Sequence, residues 1–116
     1  MADAFVKLKE KVLEFRNIRD WKQFHDPKNL AEGLSIEVAE LLENFLWKTT
    51  DEAKALGPQE IEKIKAEIGD IFIFIIYLSE ELGIDLFEAT SQKVALNGKK
   101  YPLNKSKGNR KKYHDL

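Results

Sequence analysis

The sequence predicts an all-α protein of four helices, and three observations carry that expectation. Apolar residues recur three and four positions apart along most of the chain. Aspartate, proline and glycine fall where such stretches begin and end. The one segment that resembles a buried strand, Ile71 to Leu78 (IFIFIIYL), continues from strongly helical residues with no turn signal between them.

Asp3 caps a first helix whose apolar positions are Phe5, Leu8, Val12 and Phe15. A polar break follows, from Asn17 to Asp26. Asp26-Pro27 then reads as a helix start, with Asp as the cap and Pro at the first helical position. That helix should run through Leu30, Leu34, Val38, Leu41, Leu42 and Phe45 to about Trp47. Lys48-Thr49-Thr50-Asp51 interrupts it, and Gly57-Pro58 restarts the chain. The third helix carries Ile61, Ile64, Ile68, Ile71, Phe72, Ile75, Leu78 and Leu82, and Gly83 ends it. Asp85-Leu86-Phe87-Glu88 opens a fourth, which Tyr101-Pro102 closes. The third helix is apolar on nearly every side, so it must be covered all round. In so short a chain, that calls for a partner subunit.

With 116 residues, the expectation is one domain over residues 1–116, with a basic tail from about 103 to 116. A composition that is 43% hydrophobic and 34% charged reads as globular. The net charge of -1 speaks against a nucleic-acid-coating protein. Lys99, Lys100, Lys105, Lys107, Arg110, Lys111 and Lys112 nevertheless form a run without an acid, either anion-seeking or simply solvated. The absence of cysteine excludes disulfides, thiolate zinc sites and cysteine nucleophiles. The longest apolar run falls far short of the roughly 20 residues that span a bilayer. The charged, amphipathic N-terminus does not resemble a signal peptide, so a cytoplasmic location without membrane partners is the default.

Two pairs of acids stand out. Glu37 and Glu40 lie three apart on the second helix, and Glu67 and Asp70 three apart on the third. Residues at that spacing share a helix face. If the two faces meet, four carboxylates converge, and a hard divalent cation, magnesium before others, resolves their repulsion. The bland alternative is a solvated charged face, which Glu43 would extend. Glu67 and Asp70 weigh against it. They stand against the most apolar stretch, beside a helix-weakening Gly69, and local rules broken together are expected at a functional site.

With E-x-x-E on one helix and E-x-x-D on the next, the sequence resembles the MazG-like all-α nucleoside triphosphate pyrophosphohydrolases. Arg19-Asp20-Trp21, Gln23-Phe24-His25, Pro27, Asn29-Leu30, Phe45, Trp47-Lys48, Lys93, Asn97 and Tyr101-Pro102 look like its dCTP pyrophosphatase branch. The likeness runs from about Leu8 to Tyr113. It implies the four-helix bundle-like MazG fold and hydrolysis of a (deoxy)nucleoside triphosphate, dCTP first, to monophosphate and pyrophosphate. Cleaning of the nucleotide pool would be the purpose. Glu37, Glu40, Glu67 and Asp70 would hold Mg²⁺, with Glu37 or Glu40 contacting the attacking water.

Tryptophans in a small domain are more often core than ligand platforms. The resemblance reverses that for Trp21 and Trp47, which match aromatics enclosing the base, with His25 and Asn29 as polar neighbours. Without it, His25 would read as a loop histidine with no role. Phe74 departs from several pyrimidine-specific relatives, which look to have Tyr there. Val12 likewise replaces an expected polar residue. A missing hydroxyl at Phe74 implies a broader pyrimidine preference. Lys93 and Asn97 share a face of the fourth helix and would reach the triphosphate. A homotetramer built as a pair of dimers, with pockets near the subunit interfaces, is also implied. The competing classes are a non-catalytic helical oligomerisation or adaptor protein, and a nucleic-acid module using the basic tail.

Overall fold

The computed structural model describes residues 2–116. Every regular element among them is helical. In chain order they are α1 (Ala2–Asn17), a 3-10 turn (Lys22–Phe24), α2 (Pro27–Glu43), α3 (Thr50–Lys54), α4 (Pro58–Glu81), α5 (Leu86–Lys100), α6 (Leu103–Ser106) and a last 3-10 turn (Tyr113–Asp115). The chain forms two compact units, Met1–Gly83 and Ile84–Leu116.

In the first unit the helix starts are local chemistry. Asp26 is extended, and its Oδ1 accepts the Asn29 amide at 2.9 Å, with Pro27 behind it where no amide is needed. Pro58 begins α4 in the same way, and Glu60 reaches back to the Gly57 amide and out to Lys48 Nζ at 2.9 Å. Gly83, at φ 65, takes the left-handed turn that stops α4.

Two departures from the sequence expectation have a local cause. α2 ends at Glu43, not near Trp47. Asn44 Nδ2 donates to the carbonyls of Glu40 and Leu41 at 3.2 and 3.3 Å, and the backbone tightens into bonds spanning three residues. Trp47, at φ 66, then turns the chain away. The supposed interruption is itself a helix start. Thr49 and Glu52 form a reciprocal capping box that opens the short α3.

The core gathers Val12 from α1, Leu30 from α2, and Ile76 and Tyr77 from α4, with Phe5, Leu13, Ile73, Phe74 and Leu78 packed against them. α2 runs antiparallel to α4: Gly33 meets Phe74, Glu37 meets Asp70, and Glu40 meets Glu67. α1 is pinned to the far end of α4 by Lys9–Glu80 and Arg16–Glu81, both at 2.9 Å. Ile71 and the stretch from Ile73 to Leu78 are therefore largely sheltered. The large apolar side chains that α4 leaves exposed include Ile61, Ile68 and Phe72.

In the second unit, Asp85 caps α5 through the Glu88 amide at 3.0 Å. The basic segment folds back on its own helix end. Tyr101 meets Tyr113 edge-on with centroids 6.1 Å apart, and Lys100 Nζ lies 4.8 Å from the Tyr113 ring centroid. No helix among the described residues is long and apolar enough to cross a membrane.

Candidate functional site

Spacing on two helices and their antiparallel register place the acids. One carboxylate oxygen each from Glu37, Glu67 and Asp70 lies within 4.8 Å of the other two. Glu40 stands outside this trio but near enough to raise the carboxyl pKa of both Glu37 and Glu67. Three of the expected acids thus converge on one point and the fourth adjoins it.

The electrostatics are those of uncompensated negative charge. The Glu37 carboxyl is pushed up to about 7, first by desolvation and then by Glu40, Asp70 and Glu67. Glu67 is raised as well, again by desolvation before Glu40. Glu37 Oε2 and Glu67 Oε2 are buried without a hydrogen-bond partner. An oxygen in that position is unfavourable unless something satisfies it. The donor set, carboxylate oxygens drawn together with none of the cations that would balance them, suits a hard divalent cation, which Glu37, Glu67 and Asp70 would hold.

Beside the trio opens a cavity of about 590 Å³, lined by residues of α1, the loop after it and α4. Asp70 and Gly69 lie on its wall, so cavity and acids share an edge. Trp21 belongs to the lining, its ring edge-on to Phe15 at 5.7 Å. The Arg19 guanidinium covers the Phe15 ring at 3.6 Å. His25 and Phe74 line the cavity too. The walls are otherwise mostly apolar, as expected of a pocket for a flat ring.

Two other expected residues, Asn29 and Trp47, stand elsewhere in the first unit. Asn29 is exposed, and its Nδ2 donates to Asp26 Oδ2 at 2.6 Å, so it serves the α2 cap. Trp47 is 91% exposed and outside the cavity lining. Lys93 and Asn97 belong to α5 in the second unit.

Sequence reasoning missed Gly33 and Tyr77. A Cβ on Gly33 would collide with the Phe74 ring, so glycine is what lets that ring lie against α2 as it does. Its only sequence signal is a helical glycine one turn before Glu37. Tyr77 is 5% exposed and lines the cavity, but it is concealed within the apolar run.

Comparison with known proteins gives the family. The model of the MazG-like family matches residues 33–116. The chain is 40% identical over 105 residues to dCTP pyrophosphatase 1 of Bos taurus, and 37% identical over 105 residues to that of Homo sapiens. Each alignment takes in 89% of this chain and 62% of the relative, so the chain spans less than two thirds of their length. Among solved structures, a pyrophosphatase from Archaeoglobus fulgidus is 38% identical with a TM-score of 0.81, covering 85% of this chain and 93% of that one. By its matching family model, its sequence relatives and its all-helical architecture, the chain belongs to the MazG-like family.

Proposed function

We propose that the protein hydrolyses (deoxy)nucleoside triphosphates, dCTP or a related pyrimidine first, to the monophosphate and pyrophosphate, with Mg²⁺ as cofactor. The single observation that carries the reading is the pair of buried, unpartnered carboxylate oxygens on Glu37 and Glu67, beside an apolar cavity wide enough for a nucleoside. Relatives named dCTP pyrophosphatase and a neighbour named pyrophosphatase support it.

Glu37, Glu67 and Asp70 would hold the ion. Mg²⁺, when bound, supplies charge neutralisation for the triphosphate and for the departing pyrophosphate. Glu40 or Glu37 would orient the attacking water and accept its proton, Glu40 being the acid beside the trio and outside it. The water oxygen bonds to the α-phosphorus as the bond to the bridging oxygen breaks. Trp21 stacks on the base, His25 reads its edge, and Phe74 walls the pocket without a hydroxyl to offer. That loss favours a pyrimidine preference broader than that of relatives with Tyr. Lys93 and Asn97 of α5 would take part in phosphate binding. Nucleotide-pool cleaning in the cytoplasm is the physiological role this chemistry suits.

A homo-oligomer, dimer or tetramer, belongs to the same reading. Exposed Ile61, Ile68 and Phe72 on α4, with Val38 and Leu42 on α2, form stripes that water covers poorly. The test of activity is pyrophosphate release from a panel of nucleotides with and without Mg²⁺. Release from dCTP ahead of purine nucleotides, lost without the metal, is expected. Equal turnover of dATP, dGTP and dCTP would contradict the pocket assignment.

A further inference from the structure

Beneath the cavity lies a charged group that the hydrolysis does not use. Arg16 is only 2% exposed. Its Nη1 donates to Glu81 Oε1 at 2.9 Å and its Nε to Asn17 Oδ1 at 3.2 Å. The guanidinium carbon lies 5.6 Å from the centroid of the Tyr77 ring, and that ring is 4.6 Å from the His25 ring. Both Tyr77 and His25 line the cavity, among Val12, Phe15, Ile73 and Phe74. His25 Nδ1 is buried with no hydrogen-bond partner.

Two arguments make this arrangement functional. A buried ion pair is a poor way to gain stability, because apolar residues of the same volume do as well or better. Buried nitrogens in folded proteins nearly always have a partner, and an orphan on a residue that lines a cavity is more expected at a functional site than elsewhere. We propose that Arg16, which does not itself touch the substrate, is a positioning residue for specificity: anchored by Glu81 and set over Tyr77, it holds the Tyr77–His25 pair as the polar floor that reads the edge of an uncharged base. This rests on the cavity being the base pocket.

The charges fit that role. His25 is lowered below its ordinary value by burial first and by Arg16 second, while Glu81 opposes. Lys11 of α1 and Asp70 of α4 line the same cavity, and Asp26 adjoins His25 in sequence. A neutral imidazole offers one donor and one acceptor, matching a base edge that carries both. An imidazolium offers donors only.

The test uses Arg16→Met, Arg16→Met combined with Glu81→Leu, and Arg16→Lys in the intact protein. Proton NMR follows His25, one of 2 histidines, through a pH titration, and kcat and KM for dCTP are measured from pH 6 to 8. The His25 midpoint should be lowest in the wild type, higher in the double variant, and highest in Arg16→Met, where Glu81 acts unopposed. Arg16→Lys should lie near the wild type. KM at pH 6.5 should rise about fivefold in Arg16→Met and return toward the wild-type value at pH 8, with kcat within about twofold. If Arg16→Met does not fold, the double and lysine variants carry the comparison. Identical midpoints, or a fall in kcat at constant KM, overturn the positioning role. Ordered midpoints with an unchanged KM overturn its part in specificity. A wild type that releases no pyrophosphate overturns the base pocket itself, while the midpoints still judge the Arg16–His25 coupling separately.

Discussion

Gly33 shows how one atom constrains the site. Its missing side chain lets Phe74 lie against α2, one turn from the place where Glu37 meets Asp70. Gly33→Ala should therefore lower stability by about 1–3 kcal/mol, as overpacking does, and reduce hydrolysis with it. Thermal melts check this, and Gly33→Ala with Phe74→Leu should recover most of the loss. The carboxylates make a different prediction. Glu40→Gln and Asp70→Asn should abolish metal-dependent hydrolysis yet leave the fold at least as stable without metal, because each removes a repelling charge. Full activity in either variant would contradict their roles. Glu37 gives the pH dependence. Its folded-state value of about 7 lies above the ordinary 4.5, so the folded protein holds the proton more tightly than the unfolded chain. That contribution to stability is complete below 4.5 and is lost as pH rises through about 7. Metal-free protein should therefore lose more melting temperature between pH 6 and 8 than its Glu37→Gln variant. Equal losses would contradict the assignment.

Three helix starts were legible in the sequence because caps are local, whereas the Thr49 start of α3 was read as an interruption. Asp26 with Pro27, Pro58 after Gly57, and Asp85 before α5 each act on amides within three residues. Asp26→Ala should cost about 1 kcal/mol through the lost cap and free the Asn29 side chain, which urea denaturation would register. Helix ends were less legible. The end of α2 depends on an Asn44 side chain turning back to carbonyls and on the left-handed backbone at Trp47, which no periodicity announces. The acidic trio could be read from spacing because both pairs lie on single helices. Glu40's place beside the trio could not, since it depends on how α2 is rotated against α4. Nor could the cavity, which needs α1 and the Trp21–His25 loop laid beside α4. The Arg16–Tyr77–His25 contacts join three segments distant in sequence, and Tyr77 reads there as one more apolar position.

At the scale of the molecule, much of the apolar stretch after Asp70 is sheltered within the chain, Phe72 being its exposed member. Ile61 and Ile68 of α4 and Val38 and Leu42 of α2 are exposed as well. Burying those stripes between copies should make the melting temperature rise with protein concentration. A folded, active 13.4 kDa monomer in light scattering would contradict an obligate oligomer. The central claim is narrower: the carboxylates on the α2–α4 seam hold a divalent cation beside the cavity. Mn²⁺ binding followed by electron paramagnetic resonance, in competition with Mg²⁺, tests it most directly. Saturable binding by the wild type, displaced by Mg²⁺ and weakened about tenfold or more in Glu37→Gln, Glu67→Gln and Asp70→Asn, is the expected result. Binding left unchanged in all three variants would contradict it.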